Sequence, residues 1–121
     1  MDARVQHALE TDFTVDITTT GRTSGLPRRL EIWMLFVEGR FFITGTPGPR
    51  DWFANLRADP RMTIHLKQGV HADVAATARV VDDEPTRRWV FMHDDASWYR
   101  GQTPVETLIA KAPMVELTLD D

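Results

Sequence analysis

The chain has 121 residues, 42% hydrophobic and 26% charged, which fits one domain over residues 1–121 with a single core and excludes wholesale disorder. It contains no cysteine, which removes disulfide frameworks, thiolate metal sites and cysteine nucleophiles and fits a cytosolic protein. The net charge is −4, but residues 20–67 carry eight bases against four acids, so a basic middle within an acidic chain points to a local anionic ligand rather than a nucleic-acid surface.

Residues 2–10 are a short helix candidate. DFTVDITTT then alternates Phe13, Val15 and Ile17 against Thr14, Asp16 and Thr18, the period of a half-buried strand. After the loop TTTGRTSGLPR, the segment RRLEIWMLFVEGRFFITGT reads as two strands turned at Glu38-Gly39-Arg40. Leu30, Ile32, Met34 and Phe36 share one face, and Trp33, Leu35 and Val37 make the other apolar as well. A strand apolar on both sides is covered on both sides, as in a barrel that also packs against a helix or a second subunit. That surplus, with Phe41 and Phe42, predicts a homodimer.

In PGPRDWFANLRADP, prolines block helix before Arg50, Asp51 can cap, and Pro60 stops the helix. Met62, Ile64 and Leu66 alternate along the next strand, and Gln68-Gly69 turns into a long one with small residues at Ala72, Ala76 and Ala78. These leave room for tight packing or for a flat ligand. DDEPTRRWVFMHDD is a helix with acids in its first turn, which suits the macrodipole. Thr103-Pro104-Val105-Glu106 reads as a capping box before the helix ETLIAK, and MVELTLD closes as a strand. About six strands, joined mainly as antiparallel hairpins with short helices between, make a mainly β (α+β) fold, a small barrel.

Four histidines, His7, His65, His71 and His93, show no HxH or HExxH spacing, so no metal site is expected. No stretch approaches the roughly 18 apolar residues of a membrane span. The N-terminal MDARVQHALETD lacks the apolar core of a signal peptide. The expected compartment is the cytoplasm, with neither stable membrane insertion nor nucleic-acid binding.

The loop TTTGRTSGLPR carries Arg22 and Arg28 about two glycines, Gly21 and Gly25. Glycines there permit positive φ and close backbone approach, so that amides can face a phosphate or carboxylate. The arginines supply forked donors and Ser24 a hydroxyl. Turn chemistry alone also accounts for the glycines, so a solvated hairpin and an anion-binding loop both remain open at this point.

TTTGRTSGLPR, an aromatic-rich hairpin and DWFANLRADPRMTIHL together resemble the deazaflavin-dependent nitroreductase family over residues 13 to 81. The resemblance implies a split β-barrel related to the FMN-binding pyridoxamine-phosphate-oxidase-like proteins. It implies coenzyme F-420 as cofactor and hydride transfer to a quinone, nitroaromatic or enone. FMN-dependent reductases and fatty-acid-binding barrels of the same fold are the alternatives. Carried over by position, the cofactor residues are Arg22, Thr23, Ser24, Gly25, Pro27 and Arg28, then Gly45, Thr46, Arg50, Trp52 and Asn55. Thr23 stands where relatives commonly carry Lys. The segment 45–50 is shorter than in the family and has prolines in place of its lysine region, leaving Arg50 to restore positive charge. Trp52 and Asn55 match the W-x-x-N-L helix as supports, Trp52 packing as core and Asn55 pinning the preceding loop. Trp33, Trp98 and Tyr99 are the candidate substrate pocket, with Tyr99 as hydrogen-bond or proton donor to a planar acceptor. Hydride transfer is cofactor chemistry and requires no nucleophile or acid–base dyad from the protein.

Overall fold

In the computed structural model, which describes residues 1–120, helix α1 (Ala3–Thr11) leads into the first of seven strands. The Asp2 side chain caps α1 by accepting from the Arg4 N–H at 2.7 Å, and the helix buries Ala8 and Leu9. The strands are β1 (Thr14–Thr20), β2 (Pro27–Trp33), β3 (Leu35–Val37), β4 (Arg40–Thr44), β5 (Arg61–Leu66), β6 (Ala72–Val80) and β7 (Met114–Leu119). They form one sheet in the order β2-β1-β5-β6-β7-β4-β3, antiparallel at every pairing.

β2 and β3 lie at opposite edges of the sheet, yet only Met34 separates them in the chain. The sheet therefore curls until its edges meet, giving the expected split barrel. The Met34 N–H donates to the Phe13 carbonyl at 2.8 Å at that seam. The segment expected to supply two strands supplies three. Before Met34 the ribbon pairs with β1, and after it with β4. The hairpin turn has Glu38 at φ 47° and Gly39 at φ 85°, the two positive dihedrals of a tight turn matched to strand twist.

The two-sided face reading holds residue by residue. Met34 lies in the barrel core with Val15, Ile17 and Ile64, and Leu30, Ile32 and Phe36 pack against it. Leu35 and Val37 belong to a second cluster with Phe42, Val90, Phe91 and Leu108, against which Trp33 packs. That second face is covered by the chain's own helices α3 (Glu84–Met92), α4 (Ser97–Gln102) and α5 (Val105–Lys111). Phe41 and Phe42 are both buried within the chain. The apolar surplus from which a homodimer was inferred is thus satisfied internally. Ala76 and Ala78 are buried in the barrel core, so the small residues of β6 serve packing rather than a flat ligand.

Two local expectations are corrected, and one helix goes unanticipated. The capping box at 103–106 does not form: Thr103 ends α4, and Pro104 takes the cap position of α5 with no side-chain bond. Asp51 does not cap α2 (Asp51–Ala58); Arg50 holds the cap position, again without a side-chain bond. α4 has no clear signal in SWYRGQ, since a six-residue helix carrying Gly101 has too little propensity to nucleate alone. On the outer face of the sheet, His65 bridges Thr18 (2.6 Å) and Asp73 (2.7 Å) across three strands. No helix among the described residues is long and apolar enough to cross a membrane.

The helical layer is locked by Arg87, which is only 7% exposed. Its guanidinium donates to the carbonyls of Ile109 (2.6 Å), Val81 (2.9 Å), Leu108 (3.1 Å) and Ala112 (2.6 Å). One side chain thus ties α3 to the end of α5 and to the strand exit after β6. Burial lowers its pKa, but a guanidinium stays charged at any physiological pH. Arg87→Ala strands several buried acceptors at once and is expected to cost at least about 3 kcal/mol. Urea denaturation of the variant measures this directly.

Candidate functional site

The loop between β1 and β2 is held from within and from below. Thr20 pairs with Pro27 at the strand ends. The Gly21 N–H donates to the Leu26 carbonyl at 2.9 Å and the Gly25 N–H to the Gly21 carbonyl at 2.8 Å. The Ser24 hydroxyl accepts from the Leu26 N–H at 3.1 Å. Gly25 sits at φ 71°, where an L side chain is strained. A Cβ on Gly21 would meet Ser24 Oγ at 2.6 Å and the Leu26 carbonyl at 3.2 Å, so a larger residue here would have to push the Ser24 side chain aside and crowd the backbone.

Asn55, 3% exposed on α2, anchors this loop. Its Oδ1 accepts from the Arg22 backbone N–H (3.0 Å) and from Arg22 Nη1 (2.9 Å). Its Nδ2 donates to Thr19 Oγ1 at 3.3 Å. The amide therefore pins the 21–28 loop, not the loop immediately before its own helix. Arg22 Nη2 also reaches Asp51 Oδ1 at 3.3 Å, while Arg28 Nη2 donates to the Ser24 hydroxyl at 3.3 Å. The result is an open cleft of about 340 Å³ lined by Gly21, Arg22, Thr23, Ser24, Arg28, Asp51 and Asn55.

Five of the sequence-derived cofactor residues thus converge: Arg22, Thr23, Ser24, Arg28 and Asn55. Gly25 and Pro27 shape the loop without lining the cleft. Arg50 turns back on its own segment, donating to the Thr46 carbonyl and hydroxyl (both 3.0 Å) and to the Pro49 carbonyl (3.0 Å). Its charge goes to stiffening residues 45–50, with Gly45 close beside its Nε. Trp52 is buried in the barrel core and stacks edge-on to Phe53, centroids 5.8 Å apart.

Thr46 and Pro47 face a second cleft, about 510 Å³, with Trp98, Gln102, Thr103 and Thr107. Behind it the three aromatic pocket candidates meet in one cluster. Trp33 lies 5.0 Å from Trp98 and 6.0 Å from Tyr99, with Phe13 at 5.1 Å on its other side, measured between ring centroids. Trp98 and Tyr99 are themselves edge-on at 5.3 Å. Their exposures differ sharply: Trp98 is 49% exposed and Tyr99 4%. Burial pushes the Tyr99 phenol up to about 12. His93 accepts from the Asp95 N–H at 3.2 Å and caps the turn at 94–96, a helix-end role.

Asp51 and the Gln102, Thr103 and Thr107 wall were not read from the sequence. Asp51 had a usable signal, since it stands four residues before Asn55 on one helix face. The wall had none, because it depends on how α4 and α5 pack.

Solved structures similar to this chain include one described as an F-420 reductase, 17% identical over 96% of this chain and 93% of that chain, with a TM-score of 0.68. A second, the F-420-H2 dependent reductase FDR-A, is 22% identical over 88% of this chain and 94% of that chain, with a TM-score of 0.60. A putative pyridoxamine 5′-phosphate oxidase from Listeria innocua is 10% identical over 98% of this chain and 92% of that chain, with a TM-score of 0.72. These likenesses establish the shared split-barrel fold. The model of the F-420H(2)-dependent quinone reductases matches residues 1–110. The chain belongs to that family, oxidoreductases that use coenzyme F-420 to reduce quinone-type acceptors.

Proposed function

We propose that the cleft between the 21–28 loop and α2 holds the anionic part of coenzyme F-420, and that the cleft walled by Trp98 receives the acceptor. The carrying observation is the convergence of two guanidinium groups, two hydroxyls and a glycine-bearing chain reversal around 340 Å³ of open space. That donor set suits a phosphodiester and carboxylates: planar forks and hydroxyl donors match oxyanions, and charge-assisted bonds are the strong ones. When bound, the reduced coenzyme supplies a hydride.

The chain's own residues bind, orient and shield. Arg28 is the more available cation, because the group it donates to is the neutral Ser24 hydroxyl. Asn55 holds the loop in its binding shape before any ligand arrives, which lowers the ordering cost of binding. Trp98 offers a flat exposed ring to a planar acceptor such as a quinone, nitroaromatic or enone, and Trp33 and Tyr99 brace it edge-on. Tyr99, kept neutral by burial, can donate a hydrogen bond but is a weak acid.

Arg28→Ala is expected to weaken F-420 binding by on the order of 1.5–3 kcal/mol, read as loss of affinity in a fluorescence titration with the fold intact by circular dichroism. Unchanged affinity in a folded variant would refute the anion-loop assignment. Trp98→Ala should raise the KM for menadione while leaving F-420 affinity unchanged, a split that steady-state kinetics and direct titration resolve together. Tyr99 is the only tyrosine in the sequence, so its ionisation can be followed alone by ultraviolet absorbance. The midpoint should fall near 12, above the ordinary value of about 10. Because the folded value is the higher one, the unfolded chain ionises first, and stability should decline as pH rises from about 10 through about 12. Tyr99→Phe should remove both signals.

A further inference from the structure

Among the described residues, Asp51 is the one acid lining a cleft otherwise built for anions. It sits in the first turn of α2, where a carboxylate is favoured by the helix dipole, and its side chain is 90% exposed. Its carboxylate meets Arg22 Nη2 at 3.3 Å. Arg22 is thereby occupied on both terminal nitrogens, Nη1 by Asn55 and Nη2 by Asp51. Among the described residues Arg28 has no carboxylate partner and donates to the Ser24 hydroxyl. The two cations of the loop are therefore unequal: one is open and the other carries a replaceable internal anion.

Resting on the assignment of this cleft to the coenzyme's anionic part, we propose that Asp51 is a built-in competitor that sets the cleft's specificity. A ligand with one anionic group engages Arg28 and leaves the Arg22–Asp51 pair in place. A ligand with a second anionic group, some ångströms from the first, displaces the Asp51 carboxylate and takes over Arg22 Nη2. The displaced carboxylate goes to water, where at 90% exposure it is already largely solvated. Exposed ion pairs are weak, so the exchange is cheap for a ligand that supplies the second charge. The arrangement favours molecules with two separated anionic groups, such as a phosphodiester joined to a carboxylate tail, over inorganic phosphate. Asn55 keeps Arg22 in position throughout, because its bonds to the Arg22 backbone and Nη1 are independent of Asp51.

The test is equilibrium titration of the intact protein with F-420 and, separately, with inorganic phosphate, for wild type, Asp51→Asn, Arg28→Ala, Arg22→Ala and the double variant of Asp51→Asn with Arg22→Ala. Asp51→Asn should bind F-420 about two- to fivefold more tightly at low salt, the range of an exposed pair. That gain should vanish in the Arg22→Ala background, and phosphate affinity should change less than F-420 affinity. A variant that merely damaged the helix end would weaken binding, so the sign separates competition from a structural role; Asp51→Ser, which keeps a good helix-start residue, should show the same gain. If Arg28→Ala weakens F-420 binding but Asp51→Asn brings no gain, or an equal gain without Arg22, the competitor role is wrong. If neither Arg28→Ala nor Asp51→Asn alters affinity, the assignment of the cleft to the coenzyme falls instead.

Discussion

One residue, Met34, links the two edges of the sheet. The ribbon that begins as β2 beside β1 continues, past that single residue, as β3 beside β4. Seven strands cannot satisfy this while flat, so the sheet closes on itself, and the ribbon acquires an inside and an outside along its whole length. Its alternate residues then enter two different cores, Leu30, Ile32, Met34 and Phe36 facing the barrel and Trp33, Leu35 and Val37 facing the helices. Both clefts follow from this arrangement. The β1–β2 loop leaves the barrel on one side of the α2 N-terminus, and the aromatic cluster centred on Trp33 lies where β2 ends.

Polar side chains do the remaining positioning, and they do it through backbone atoms. Arg87 gathers three carbonyls at the end of α5 and one just after β6, and Asn55 takes an N–H of the 21–28 loop while reaching Thr19. Each would be costly to bury without these partners, so each has one stable geometry. Arg50 plays the same part on a smaller scale in residues 45–50. The consequence for function is division of labour among the arginines of one region. Arg50 is spent on structure, Arg22 is shared, and Arg28 is left facing the cleft. Counting positive charges in the loops would treat all three alike.

Much of the fold was legible because period-2 patterns survive folding unchanged. Val15 and Ile17, Met62, Ile64 and Leu66, and Val115 and Leu117 all point into the barrel as their alternation requires. The opening loop was legible as a reversal, because glycines mark a turn whether or not it binds an anion; the family pattern, not the glycines, pointed to the anion. The helical layer was read poorly. A proline-led capping box looked sound in isolation, but Thr103 is already engaged as the end of α4. The break at Met34 was invisible too, because nothing in WMLF marks a change of partner strand.

The sequence by itself determined which residues are apolar, where the chain reverses and which loop holds the positive charge, since these depend on side-chain type and near neighbours in the chain. It also carried the family pattern that points to F-420. Only the tertiary structure decided that the second face of the 30–37 ribbon is covered by α3 to α5, that Tyr99 is sealed while Trp98 is open, and that Asp51 lies against Arg22 across 29 positions of chain. Those outcomes depend on which distant segments meet, and a contact between residues far apart in the chain is settled by packing of the whole core, not by the local pattern at either end.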